Sequence, residues 1–125
     1  MQYIEVSNKS VDEVVESLKQ IAPKYSFGVQ HVHNIKATLN SKGKELNEDC
    51  QVVDICNPNY AEKFLNGDIT IACILPCKIA VYTKDGETNI SLNSFTQLID
   101  DVNPDFIEVA LEAQNELLKI IDEAK

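Results

Sequence analysis

The sequence predicts an α/β domain of the α+β kind: two layers, with a mainly antiparallel sheet of about five strands and helices packed against it. Three observations carry that prediction. The chain has 125 residues, of which 44% are apolar, the size and content of one domain with one buried core. Short β-prone segments alternate with stretches whose apolar residues recur at helical spacing. Asp85-Gly86 stands between two β-prone segments, and such a dipeptide favours a tight hairpin, hence antiparallel neighbours. No repeat, linker or low-complexity tract divides the chain, so one domain is expected over 1–125.

Met1 to Val6 alternates as a first strand would. Ser10 with Glu13 three residues on has the form of a capping box, and Val11, Val14, Val15, Leu18, Ile21 and Ala22 then recur at helical spacing until Pro23 forces a stop. Tyr25 to His33 reads as a second strand. Asn34 is placed to cap a short helix carrying Ala37 and Leu39, with Gly43 as its left-handed exit. Cys50 to Cys56, with Val52, Val53 and Ile55, reads as a central strand covered on at least one face. Asn57-Pro58 is a strong helix start, so a short helix is expected over Tyr60 to Asn66, with Ala61, Phe64 and Leu65 inward and Gly67 at its end. Asp68 to Pro76 is too short to show a decisive period and stays open between strand and irregular chain. Cys77 to Thr83 and Glu87 to Leu92 are the strands of the hairpin. Phe95 to Ile99 looks helical, and Asn103-Pro104 opens a final helix over about 104–124 with Ile107, Ala110, Leu111, Leu118 and Ile121 on one apolar face.

Charge excludes several partners. All eleven cations are Lys, against twenty acids, for a net charge of −9. Nucleic acid is not expected, because phosphates are held by clustered cations and read by guanidinium forks. The same scarcity argues against anionic membrane surfaces. The start MQYIEVSNKS has none of the parts of a signal peptide, and the longest strongly apolar run, Ile71 to Leu75, is far short of the roughly 20 residues that span a bilayer. A cytoplasmic protein is expected, with its four cysteines kept as thiols.

The chemistry-bearing residues are few. Cys56 ends a strand immediately before the Asn57-Pro58 helix start, where free backbone N–H groups and the helix dipole favour a thiolate; the plain alternative is a small apolar residue filling the corner. Cys73 and Cys77 are spaced C-x-x-x-C, but Pro76 keeps Leu75 extended, and in extended chain the sulfurs would stand roughly 13 Å apart. Cys50 reads as core. His31 and His33 alternate on one strand face and form a fragment of a metal site for an ion such as zinc, lacking a local third ligand; the plain alternative is a polar outer face. Four glycines at 28, 43, 67 and 86 make neither dinucleotide nor phosphate loops, and no nucleophile elbow is present.

Cys56-Asn57-Pro58 with Ala61 and Leu65 behind it, then Leu75-Pro76-Cys77, an apolar strand and the Asp85-Gly86 hairpin follow an order that resembles the family called domain of unknown function 302. The likeness covers roughly 11–92, including Asn34 to Gly43; the long acidic final helix lies outside it, and His31 and His33 are less typical of that family. The resemblance implies a small α/β domain with an antiparallel sheet, associating as a homodimer. It implies no activity, and it carries over Cys56, Asn57, Pro58, Pro76 and Cys77 only as motif positions.

The expected function is therefore a non-enzymatic, homodimeric module that binds a small molecule or a metal in the corner formed by Cys56, Asn57, Pro58 and Cys77, with His31 and His33 as candidate metal ligands. The alternative is a thiol enzyme or a sulfur or redox carrier using Cys56 or Cys77. A third reading is an interaction domain with inert buried thiols and an apolar patch used for pairing.

Overall fold

The computed structural model describes residues 2–125; Met1, expected in the first strand, lies outside the described residues. Strand β1 (Gln2–Ser7) leads to helix α1 (Val11–Ile21) and a 3₁₀ turn over Ala22–Tyr25. Strand β2 (Gly28–Asn34), helix α2 (Ile35–Ser41), strand β3 (Cys50–Cys56) and helix α3 (Pro58–Gly67) follow. A 3₁₀ segment over Ile69–Ile74 precedes the hairpin of β4 (Cys77–Lys84) and β5 (Glu87–Asn93). Helix α4 (Phe95–Val102), a 3₁₀ turn over Pro104–Phe106 and helix α5 (Ile107–Ala124) complete the chain.

The local signals act as their chemistry requires. Ser10 accepts the Glu13 amide proton while the Glu13 carboxylate accepts that of Ser10, both at 3.1 Å, closing the capping box on α1. Asn34, Asn57 and Asn103 each cap a helical start through the side-chain oxygen. The hairpin turns on Asp85 and Gly86 at φ 54° and 78°, both left-handed as a type I′ turn demands. Gly67 ends α3 for a different reason: a Cβ there would run into the Phe106 ring.

The five strands form one antiparallel sheet in the order β1-β5-β4-β3-β2. Strand alternation sorts its side chains onto two unlike faces. One face carries Val53, Ile55, Ile79, Val81, Ile90 and Leu92, all at most 3% exposed, packed under Val14 and Leu18 of α1 and Leu117 and Ile120 of α5. A second cluster sits beyond the end of the sheet, where Phe64 of α3, Ile71, Phe95 and Ile99 of α4, and Ala110 and Ala113 of α5 close on one another. Phe64 meets Phe95 edge-on at 5.6 Å between ring centres.

Three expectations change. Tyr25 belongs to the 3₁₀ turn that Pro23 opens, so β2 begins at Gly28. Asn103-Pro104 starts a 3₁₀ turn, and α5 proper begins at Ile107. Ile107 and Leu111 do not face inward but are 36% and 47% exposed; α5 instead buries Ala110, Ala113, Gln114, Leu117, Ile120, Ile121 and Ala124.

The two kinds of leucine separate in a denaturant titration. Leu18→Ala, at a fully buried site, should lower unfolding stability by about 2–5 kcal/mol, whereas Leu111→Ala should stay within about 0.5 kcal/mol of the parent. Equal losses would contradict the burial assignment.

Candidate ligand cleft and the thiol corner

Cys56 and Cys77 come together. Cys77 pairs in register with Ile55, whose side chain is on the helix-covered face, and both thiols border one apolar crevice with Phe27, Tyr60 and Phe64. The crevice holds only about 10 Å³ of free space, less than a water molecule needs. Cys77 packs against both hydrophobic clusters, and burial, with Cys56 beside it, pushes its thiol up to about 12. Burial also raises Cys56 and Cys50 above the ordinary thiol range. For Cys56 burial thus works against the pull of the helix N-terminus on a thiolate. The start of α3 is served by Asn57 itself: its side chain accepts the Asn59 amide proton, its carbonyl accepts that of Ala61, and its side-chain amide donates to the Tyr25 carbonyl.

On the other side of Cys77 the chain leaves real space. The 3₁₀ segment and a cis Leu75-Pro76 bond carry the backbone around a cleft of about 170 Å³, bordered by Cys73, Leu75, Pro76, Cys77, Phe95 and Leu98, with Lys78 and Asn93 also on its lining. Cys73, exposed and free, borders the same cleft. All four cysteines are free thiols.

The two histidines lie elsewhere. His33 pairs with Val52 and His31 with Asp54, across a bulge that follows Val29, which puts both imidazoles on the sheet face opposite Ile55 and Cys77. Their rings meet edge-on with centres 4.3 Å apart. His33 Nε2 is 2.9 Å from Asp54 Oδ2, and Lys78 Nζ donates to Asp54 Oδ1 at 2.6 Å. The Lys78 hydrogen bond, helped by His33, holds the Asp54 carboxyl below the usual carboxylate range. The sheet thus separates His31 and His33 from Cys77. Among the described residues, no three His, Cys, Asp or Glu side chains gather as a metal ion would need.

Lys78, Asp54, Asn93, Phe95 and Leu98 were not singled out from the sequence. Asp54 did carry a signal, an acid placed between Val53 and Ile55 in an otherwise apolar strand, and Lys78 answers it as the in-register neighbour. Phe95 and Leu98 read only as helix residues, because nothing local brings α4 to the end of β4.

The comparisons with known proteins agree with this architecture. The family model described as "Domain of unknown function DUF302" matches residues 3–124, so the match takes in β1 and α5 as well as the motif region. The crystal structure of an uncharacterized conserved protein DUF302 from Bacillus stearothermophilus superposes with a TM-score of 0.95 at 26% identity, covering 99% of this chain and 98% of that one. No curated protein matches. Among the described residues, no helix is long and apolar enough to cross a membrane.

Two measurements test the site. With a slow alkylating reagent at pH 8, Cys73 should react first and Cys77 last, by at least about 100-fold, because a thiol held near 12 has almost no thiolate at that pH; mass mapping that finds Cys77 modified early would refute the buried corner. For Asp54, the depressed carboxyl contributes stability above the unfolded value of about 3.9 and loses it as pH falls through the folded value. Urea titrations of the parent and Asp54→Asn should therefore differ at neutral pH, the gap closing as pH falls below about 4.

Proposed function

The chain belongs to the DUF302 family, and within that family we propose that it acts as a binding module for a small molecule, seated in the cleft beside Cys77. The observation that carries this reading is the cleft itself, about 170 Å³ with a largely apolar wall of Leu75, Pro76, Phe95 and Leu98. A cavity of about 150 Å³ with such a lining accepts one benzene ring. The ligand then places an apolar group of about that size against Leu98 and Phe95. Asn93, on the same lining, supplies a hydrogen-bond donor for a polar head at the mouth.

Binding is favoured over thiol chemistry by the state of the thiols. A nucleophilic or sulfur-carrying cysteine needs an accessible thiolate, and burial works against one at both Cys56 and Cys77.

Fluorine NMR with 4-fluorotoluene tests the cleft directly. A probe of this size should bind with a dissociation constant of about 1 mM, slow alkylation of Cys73 at saturation, and lose binding in Leu98→Trp, whose indole would occupy the space. Binding undiminished in Leu98→Trp, or none at 10 mM probe or about that concentration, would sink the proposal.

A further inference from the structure

Gln51 is a polar residue in an apolar line. Strand alternation puts it on the helix-covered face of β3 with Val53 and Ile55; those two are fully buried, and Gln51 is only 9% exposed. An amide in such a place needs hydrogen-bond partners. The protein supplies one: the Gln51 side-chain nitrogen donates to Asp12 Oδ1 of α1 at 2.7 Å. The Gln51 oxygen accepts none. Among the described residues the one sealed and unpaired side-chain polar atom is Glu116 Oε2, so Gln51 Oε1 is open to the cavity that Gln51 lines.

That cavity measures about 260 Å³ and lies where the start of α1, helix α2 and the start of β3 meet, bordered by Asp12, Asn34, Lys36, Asn40, Asp49 and Gln51. Asn34 is the in-register neighbour of Gln51, so the two amides stand side by side. The Asn34 oxygen accepts the Ala37 amide proton at the start of α2, which leaves its NH2 group for the cavity.

Charge decides what fits. Lys36 and Asp49 pair with each other at 3.2 Å and balance. Asp12 is the remaining charge on the wall, and its bond to Gln51 is to a neutral amide. A helix N-terminus ordinarily favours anions, but α1 opens on two acids, Asp12 and Glu13, which outweigh the partial positive charge of the dipole. The cavity therefore suits a cation. A metal ion is a poor fit, because no three His, Cys, Asp or Glu side chains gather among the described residues and hard cations take about six or more oxygens. An ammonium group brings three N–H donors of its own, and Asp12 and Gln51 Oε1 offer it acceptors.

We propose that this cavity is a second ligand site, which takes a small primary amine with a carbonyl or hydroxyl group beside its ammonium. The ammonium donates to the Asp12 carboxylate and to Gln51 Oε1, and the neighbouring oxygen accepts from the Asn34 NH2 group. The Gln51–Asp12 hydrogen bond holds the two acceptors in place before the ligand arrives. This explains why an amide interrupts the apolar line of β3 at the one position that lines the cavity. The site shares no residue with the cleft beside Cys77, so each stands or falls alone.

Two-dimensional amide NMR of the full isotope-labelled chain, titrated with glycinamide to about 50 mM at about pH 6.5, where the amine is charged, tests the site. Glycinamide should bind with a dissociation constant of about 1–10 mM and move the side-chain amide signals of Gln51 and Asn34 and the backbone amides of Asp12 and Glu13. Acetamide, which keeps the carbonyl but has no ammonium, and sodium chloride at the same concentration should move none of them. Asp12→Asn, at an exposed position, should keep the fold and weaken binding at least about tenfold. Gln51→Met keeps the length of the side chain and removes its oxygen, and should weaken binding by as much, with circular dichroism confirming the fold. No shift at about 50 mM glycinamide overturns the proposal. So do equal shifts with acetamide, or undiminished binding in Asp12→Asn, which would place the amine elsewhere.

Discussion

Everything in this molecule follows from burying one face of the sheet and only one. Val53, Ile55, Ile79, Val81, Ile90 and Leu92 are sealed beneath α1 and α5, and each such side chain contributes about 1.5–3 kcal/mol when fully removed from water. With so many positions committed, the register cannot slip by one residue without turning the whole set outward. The same alternation forces the intervening residues onto the other face. His31, His33, Asp54, Lys78, Asn89 and Ser91 stand together because their neighbours are buried.

This explains why Cys77 and the histidines separate. Cys77 shares the covered face with Ile55 and lies where the sheet core meets the second cluster of Phe64, Ile71, Phe95 and Ile99. The 3₁₀ segment Ile69–Ile74 leads the chain past this seam, and a cleft stays open there on one side of Cys77. On the other side Phe27 and Tyr60 close the crevice. A single thiol thus has a packed side and an accessible side, and burial keeps it neutral while it still lines a cavity.

Much of the fold was legible in the sequence because its signals are local. The Ser10–Glu13 box, the three Asn caps and the Asp85-Gly86 turn each depend on residues within a few positions, and β3 follows the apolar run over Cys50–Cys56 to its ends. The family resemblance, too, rested on such short motifs. The candidate site was legible only in part. Placing Cys56 and Cys77 together needed just the order of motifs, but assigning His31 and His33 to their corner required knowing which sheet face each strand presents, a property of the bulge after Val29 and not of any local pattern. Leu98 and Phe95 join the cleft through contacts that span the second cluster, and no spacing in the sequence reports those.

The misreading of α5 is the most informative. Ile107, Ala110, Leu111, Leu118 and Ile121 do form one apolar stripe, but a helix lying beside a sheet has an inner line and a flank, and periodicity alone does not tell them apart. The helix resolves the choice by size. Ala110, Ala113 and Ala124 occupy inner positions and let α5 approach closely, and Leu117 and Ile120 fill the deepest ones. The large residues Ile107 and Leu111 are left on the flank, 36% and 47% exposed, where they add little to the core. The apolar stripe of the sequence therefore spans two lines of the helix, an inner one that packs against the sheet and an outer one that meets solvent.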